Sequence, residues 1–310
     1  MQWSGFEYLQ TGKEKFAREQ KRVAYKKLTQ AAPNLFFLAG DGLPIEPLTT
    51  GVYEPHVKKL IEFAANDGYQ DFLIDIGANI GMTSVQSGLC FKEVHLYEPN
   101  PECISILKLN LHRALGNHPY YLHEFGLGQG SYDTDLMVPR GNLGGAFVPG
   151  QDNGLSQELL AKKDGYLSVQ AQNYRSQQIR IEDAKEQMQK LFTSLKTRNL
   201  LSGVIKIDVE GYESTVLSGM LPLPVGMRAM IIFECWDPQF DFAALLARQN
   251  GRANGFKLIE KRHQYNLFRR LLKKVAPQCG PGTSHTLIPY DGAAAQSADG
   301  AGDLVMIISG

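Results

Sequence analysis

From Asp71 onward, short apolar runs alternate with longer stretches in which apolar residues recur every three or four positions. The runs "FLIDIG", "EVHLYEP", "YYLHEFGLG", "GVIKIDVEG", "AMIIFECW", "GFKLIEKR" and "DLVMIISG" read as strands. Helices are expected over 81–90, 101–115, 182–196, 213–218 and 240–250. This alternation predicts an α/β fold with a mainly parallel sheet. Upstream, residues from about 4 to 30 place Phe6, Phe16, Val23 and Leu28 among many lysines and arginines, as in a solvated helix with one face on the core. "EPHVKKLIEFAAN" reads as a second helix, opened by Pro55 in its first turn.

Two segments exceed what a minimal sheet needs. "MVPRGNLGGAFVPGQDNG" has the composition of a flexible, glycine-rich loop. "NLFRRLLKKVAPQCGPGTSHTLIPYDGAAAQSADGAG" separates the last two strands by more than a hairpin requires. Both are either functional excursions or linkers.

Charge narrows the partners: 32 basic residues balance 32 acidic ones across 310 residues, so no global field draws nucleic acid or a polyanion. No apolar run approaches the roughly 18 residues of a membrane span. The basic face of "NLFRRLLKKV" offers at most a short peripheral contact with anionic lipid. Cys90, Cys103, Cys235 and Cys279 show no CxxC spacing and follow no secretory leader, so free thiols in a cytoplasmic protein are expected.

Chemistry concentrates where "FLID" ends. Asp75, Gly77, Asn79 and Gly81 form D-x-G-x-N-x-G, which differs from the G-x-G-x-x-G of a dinucleotide site. The glycines let the backbone turn and approach a ligand, and the next helix offers free N–H groups to a carboxylate or phosphate. Asp75 can receive an ammonium group, directly or through water. A ligand with an amino-acid end is therefore favoured, and S-adenosylmethionine has one. Glu98, at the end of the second strand, can accept hydrogen bonds from both ribose hydroxyls.

"VIKIDVEGYESTVLSGM", with "FLIDIGANIG", "LYEPNP", "IRIEDA" and "IIFE" in that order, resembles the FkbM-type methyltransferases from about Gly51 to Glu234. The resemblance implies a Rossmann-like class I fold with a seven-stranded, doubly wound sheet whose last strand is antiparallel. It further implies methyl transfer from S-adenosylmethionine to a hydroxyl oxygen, with sugars of glycolipids and polysaccharides or natural products such as macrolides as acceptors. Carried over by position, the cofactor residues are Asp75, Gly77, Asn79, Gly81 and Glu98, with Pro99 and Asn100 shaping the ribose side; Phe125 and Gly126 are candidates near the adenine. Tyr53 and Glu54 stand where the family often has an aromatic-acid pair and are expected to edge the cleft. The domain boundaries follow: an accessory helical segment over 1–50 and the methyltransferase over 51–310, with insertions at about 137–165 and 265–302. Ile181-Glu182-Asp183 and Tyr212 depart from the family pattern. They leave the cofactor loop intact and bear on the acceptor pocket.

An alcohol is a poor acid, so transfer needs a base beside an aligned acceptor. Asp208 and Glu210 are the candidate bases, and Glu234 the group that orients the acceptor. Lys206 offsets part of their charge, and Glu213 either joins them or caps the following helix. A cation held by Asp208, Glu234 and His263 is an open alternative, and no metal is expected. His95 and His123 read as packed strand residues. The competing functions are a nicotinamide-dependent oxidoreductase, which lacks its glycine fingerprint here, and a non-catalytic binding protein built on the same fold.

Overall fold

The computed structural model describes residues 12–150, 153, 156, 172–236, 240–262, 283–292 and 302–310. His263, the basic segment 266–275 and Cys279 lie outside them. Helices α1 (Gly12–Leu28), α2 (Ile45–Thr50) and α3 (Pro55–Asn66) precede strand β1 (Phe72–Ile76). There follow α4 (Met82–Ser87), β2 (Glu93–Tyr97), α5 (Pro101–Leu115), β3 (Tyr120–His123), β4 (Gly126–Gly128), β5 (Tyr132–Pro139), β6 (Tyr174–Asp183), α6 (Ala184–Thr197) and β7 (Ser202–Ile207). The remainder comprises α7 (Glu213–Met220), β8 (Arg228–Cys235), α8 (Phe242–Ala247), β9 (Ala253–Arg262), β10 (Thr283–Pro289) and β11 (Gly302–Ile308).

Eight strands form the main sheet in the order β10-β9-β11-β8-β7-β1-β2-β3. The strands β3, β2, β1, β7 and β8 run parallel to one another, and β11 lies antiparallel between β8 and β9. β1 and β7 are buried at every position, which is why they read as nearly unbroken apolar runs. On one face Phe72, Ile74 and Ile76 meet Met188, Phe192, Val216 and Leu217 of α6 and α7. On the other, Leu73, Val204 and Met230 meet Ile61, Leu107 and Leu111 of α3 and α5. The result is the three-layered, doubly wound class I fold, with antiparallel β11 as expected.

β1 pairs with β2 on one side and β7 on the other, so the winding reverses between β1 and β7. Ligands of open α/β sheets bind outside the carboxyl ends of the strands at such a reversal. Asp75, Glu98, Asp208 and Glu234 all stand on or just beyond those ends.

Four strands were not legible as such. β10 adds an eighth strand antiparallel to β9, inside the expected 265–302 insertion. "YYLHEFGLG" splits between β3 and β4, and β4, β6 and β5 form a separate three-stranded sheet. The expected flexible loop is also corrected at its start. Met137 to Pro139 continue β5, Met137 bridges Phe147, and Leu143, Phe147 and Val148 are buried. Three apolar side chains in a glycine-rich stretch suffice to anchor it.

Residues 34–36 lie along α5. Asn110 accepts from the Phe36 N–H (2.7 Å) and donates to the Phe36 carbonyl (3.1 Å), while Arg113 donates to the Asn34 carbonyl (2.8 Å). No helix among the described residues is long and apolar enough to cross a membrane.

Candidate active site

A cavity of ≈ 320 Å³ opens at the reversal between β1 and β7. Gly77, Asn79, Glu98, Pro99, Asp208, Glu210 and Glu234 line it, together with Tyr53, Glu54, Gly126 and Lys206. Seven of the ten proposed site residues therefore line one cavity; Asp75, Gly81 and Asn100 stand behind it. Asn100 caps α5 by accepting from the Glu102 N–H (3.0 Å). Gly81 opens α4 with φ +89°.

The loop after β1 is fixed by its glycine. Gly77 has φ +83°, and a Cβ there would collide with the Asp208 carbonyl oxygen. No other residue allows the β1 and β7 ends to approach so closely. The Gly77 and Ala78 N–H groups donate to the Tyr97 carbonyl (2.9 and 3.0 Å), tying the loop to β2.

Glu98 completes that link. Its Oε2 accepts from the Asn79 N–H and its Oε1 from the Asn100 N–H, both at 2.7 Å. Burial pushes the carboxyl up to about 7, against the pull of these two donors and with the added repulsion of Asp75 and Asp208. A carboxylate has about four acceptor positions, so two remain for a pair of hydroxyls.

Asp75 is buried beneath the loop. Its Oδ2 accepts from the Ser84 hydroxyl (2.7 Å), and its Oδ1 has no hydrogen-bond partner. Burial raises this acid above the usual carboxylate range, against the attraction of Lys206. The unpartnered Oδ1, the bare loop and the open positions of Glu98 fit a ligand that joins an ammonium group to a ribose. S-adenosylmethionine has that combination, and Asp75, Gly77, Asn79, Glu98 and Pro99 are the groups that could hold it.

Opposite Glu98, the ends of β7 and β8 meet the start of α3 in an acidic cluster around one buried cation. Lys206 lies 2.9 Å from Asp208 Oδ2. Burial opposes its charge, but Asp208, Glu54 and Asp75 hold it as an ammonium well above its ordinary range. Glu54, Asp208, Glu234 and Asp303 border a smaller adjoining cavity with Lys206. Glu213 does not join them: it accepts from the Val209 N–H (3.2 Å) and the Gly211 N–H (3.1 Å), shaping the turn that presents Glu210. Asp183 likewise caps α6 by accepting from the Glu186 N–H (2.8 Å).

Three residues other than glycine line the cavity with left-handed backbone: Glu54 (φ 41°), Asn79 (φ 52°) and Glu210 (φ 43°). Such conformations are unfavourable for side chains larger than asparagine and gather at working sites.

The apolar wall is the part that sequence patterns did not mark. Leu43, Leu143, Ala146, Phe147 and Val148 cover the cavity, and Tyr212 is buried within its lining. Asp41 clamps the two covering segments, accepting from the Leu43 N–H (2.9 Å) and the Leu143 N–H (2.7 Å). Asn153 ties the far end down by donating to the Val148 and Glu210 carbonyls (both 3.0 Å). Phe125 packs on the core instead, edge-on to Tyr97, while Gly126 lines the cavity.

His95 and His123 pack within the sheet: His95 Nε2 lies 2.7 Å from Glu93 Oε1, and His123 stacks on Tyr97. Cys103 and Cys235 are buried free thiols and Cys90 is exposed. Among the described residues, no three His, Cys, Asp or Glu side chains stand close enough to hold a metal ion.

No curated protein matches the chain. Among solved structures it is similar to precorrin 8w decarboxylase from Methanobacterium thermoautotrophicum, at 16% identity over 82% of this chain and 89% of the other, with a TM-score of 0.38. It is also similar to precorrin-6y C5,15-methyltransferase from Geobacter metallireducens, at 9% identity over 93% and 100% of the two chains (TM-score 0.40). An O-methyltransferase from Bacillus cereus in complex with SAH is similar at 8% identity over 99% and 94% (TM-score 0.36). The model of the methyltransferase FkbM domain matches residues 75–258, and the chain belongs to that family.

Proposed function

We propose that this methyltransferase, whose cofactor is S-adenosylmethionine, methylates a hydroxyl oxygen, with a sugar of a polysaccharide, glycolipid or glycosylated product as the acceptor. The observation that carries the reading is one cavity with a ribose-type acceptor, Glu98, on one wall and the acids Asp208, Glu210 and Glu234 on the other. When bound, the cofactor supplies a methyl group already activated by a positive sulfur. What remains for the chain is to position an alcohol, remove its proton and keep water out.

Each task has residues suited to it. Glu98 and the loop through Gly77 and Asn79 hold the nucleoside, with Pro99 against its sugar. Asp208, Glu210 and Glu234 supply acceptors for several hydroxyls, a pattern that suits a polyol and repels an anionic substrate. Leu143, Phe147 and Val148 close the cavity from solvent. Asp208 is already paired with Lys206, so it serves as a fixed anchor for the acceptor. The methyltransferase unit is taken as residues 51–310, with 1–50 as an accessory segment that adds Leu43 to the wall. A cytoplasmic setting belongs to the same reading and agrees with the free thiols.

Calorimetric titration with S-adenosylhomocysteine, with NAD alongside, tests the cofactor side. Micromolar affinity for S-adenosylhomocysteine, lowered at least about tenfold by Glu98→Ala, is expected. Transfer of labelled methyl to neutral methyl glycosides, compared with uronic acids and with macrolide aglycones, tests the acceptor. Methylation confined to the aglycones would replace the sugar with a natural-product hydroxyl.

A further inference from the structure

We propose that Glu54, at the entry to α3, is the residue that takes the proton from the acceptor hydroxyl. The inference rests on the reading of the site as a hydroxyl methyltransferase. Asp208 was one of two candidates from sequence, with Glu210, but its carboxylate is engaged by the Lys206 ammonium at 2.9 Å. An anion neutralised by a buried cation at that distance is a poor proton acceptor.

Glu54 has the opposite surroundings. It lines the main cavity, and its Oε2 is a buried acceptor with no hydrogen-bond partner. A buried oxygen left without a donor is unfavourable unless something in the working complex supplies one. An acceptor O–H supplies it.

The backbone holds this carboxylate in place. Glu54 is left-handed at φ 41°, its N–H donates to Glu46 Oε2 (2.9 Å), and its carbonyl accepts from the Lys58 N–H (3.0 Å). Pro55 then starts α3. A strained residue secured by its neighbours at a cavity wall is a positioned group.

The electrostatics agree. Burial raises the Glu54 carboxyl to about 7, with Lys206 and His56 opposing and Asp208 and Asp303 adding to the rise. Tyr53 lies beside it in the chain, and Glu234 borders the adjoining cavity. His56 is held by Asp303 at 3.5 Å. A base near neutrality balances readiness to accept a proton against being ionised at working pH. As the acceptor oxygen bonds to the methyl carbon, its proton passes to Glu54. The pair of the breaking S–C bond stays on sulfur, which becomes a neutral thioether.

A base within reach of that oxygen also stands near the sulfonium, and this allows a test without an acceptor. S-adenosylmethionine brings a positive charge that S-adenosylhomocysteine lacks, so only the former should expel a proton from Glu54. Glu98 meets the same ribose in both ligands, and its contribution cancels. Calorimetry at pH 7 in two buffers of different ionisation enthalpy reads the protons released. In wild type, S-adenosylmethionine should release about 0.3–0.5 proton more than in E54Q, with no such difference for S-adenosylhomocysteine. E54D, which keeps a carboxyl, should retain part of the release and serves if E54Q fails to fold. Equal release in wild type and E54Q, or none in wild type despite binding, overturns the assignment. Failure of wild type to bind either ligand would instead overturn the methyltransferase reading on which it depends.

Discussion

The Lys206 ammonium lies 2.9 Å from the Asp208 carboxylate, two residues along at the end of β7, and it is the cation around which Glu54 and Asp75 also gather. Lys206 is only 7% exposed, so its partners have little water to replace it. Lys206→Met should cost about 3–5 kcal/mol at pH 8, because it leaves buried carboxylates unpaired. The deficit should shrink at pH 5.5, where Glu54 takes up a proton and no longer needs the cation. Urea unfolding of both proteins at the two pH values checks this; a deficit independent of pH would mean that packing of the lysine stem dominates.

Glu98 predicts a pH dependence of its own. Its carboxyl stands at about 7 in the folded chain, against a usual value of about 4.5. Between those values the folded protein holds a proton that the unfolded chain has lost, so stability falls as pH rises. The contribution is fully present below about 4.5 and gone above about 7, with a range of up to about 3 kcal/mol. His123, held by burial at about 4, works in the opposite direction over part of that window. Glu98→Gln removes the first effect and keeps the second. Wild type minus variant should therefore decline from pH 4.5 to 7 in thermal or urea unfolding, and a flat difference would contradict the burial of this acid.

The sequence made the parallel sheet and the cofactor wall legible because their residues are close in the chain or constrained by geometry. Asp75 to Gly81 form one loop whose glycines have a local reason, and Glu98 follows by one β-α unit. β1 and β7 announce themselves because both faces are buried. β5 and β6 do not: their buried residues, such as Leu136, Val138, Ile179 and Ile181, stand among half-buried and exposed ones in a small second sheet. The role of Glu54 was hidden for a different reason. Its environment comes from Lys206, Asp208 and Asp303, more than 150 positions away, and spacing along the chain carries no trace of it.

The clamp at Asp41 is of that second kind, since it joins residues 43 and 143 through a single buried carboxylate. Replacing it with alanine leaves two N–H groups without their acceptor, at a cost of about 1–3 kcal/mol. That loss should fall on the cover rather than on the sheet, because among the described residues β1 and β7 make no hydrogen bond to it. Leu43 and Leu143 amides should exchange faster in Asp41→Ala while Ile74 and Ile205 amides stay protected. S-adenosylhomocysteine should bind about tenfold more weakly, since the closed cover must then be formed at the ligand's expense. Asp41→Asn keeps one acceptor oxygen and should lose less. Unchanged exchange at Leu43 and Leu143 in the alanine variant would show that Phe147 and Val148 hold the cover by packing alone.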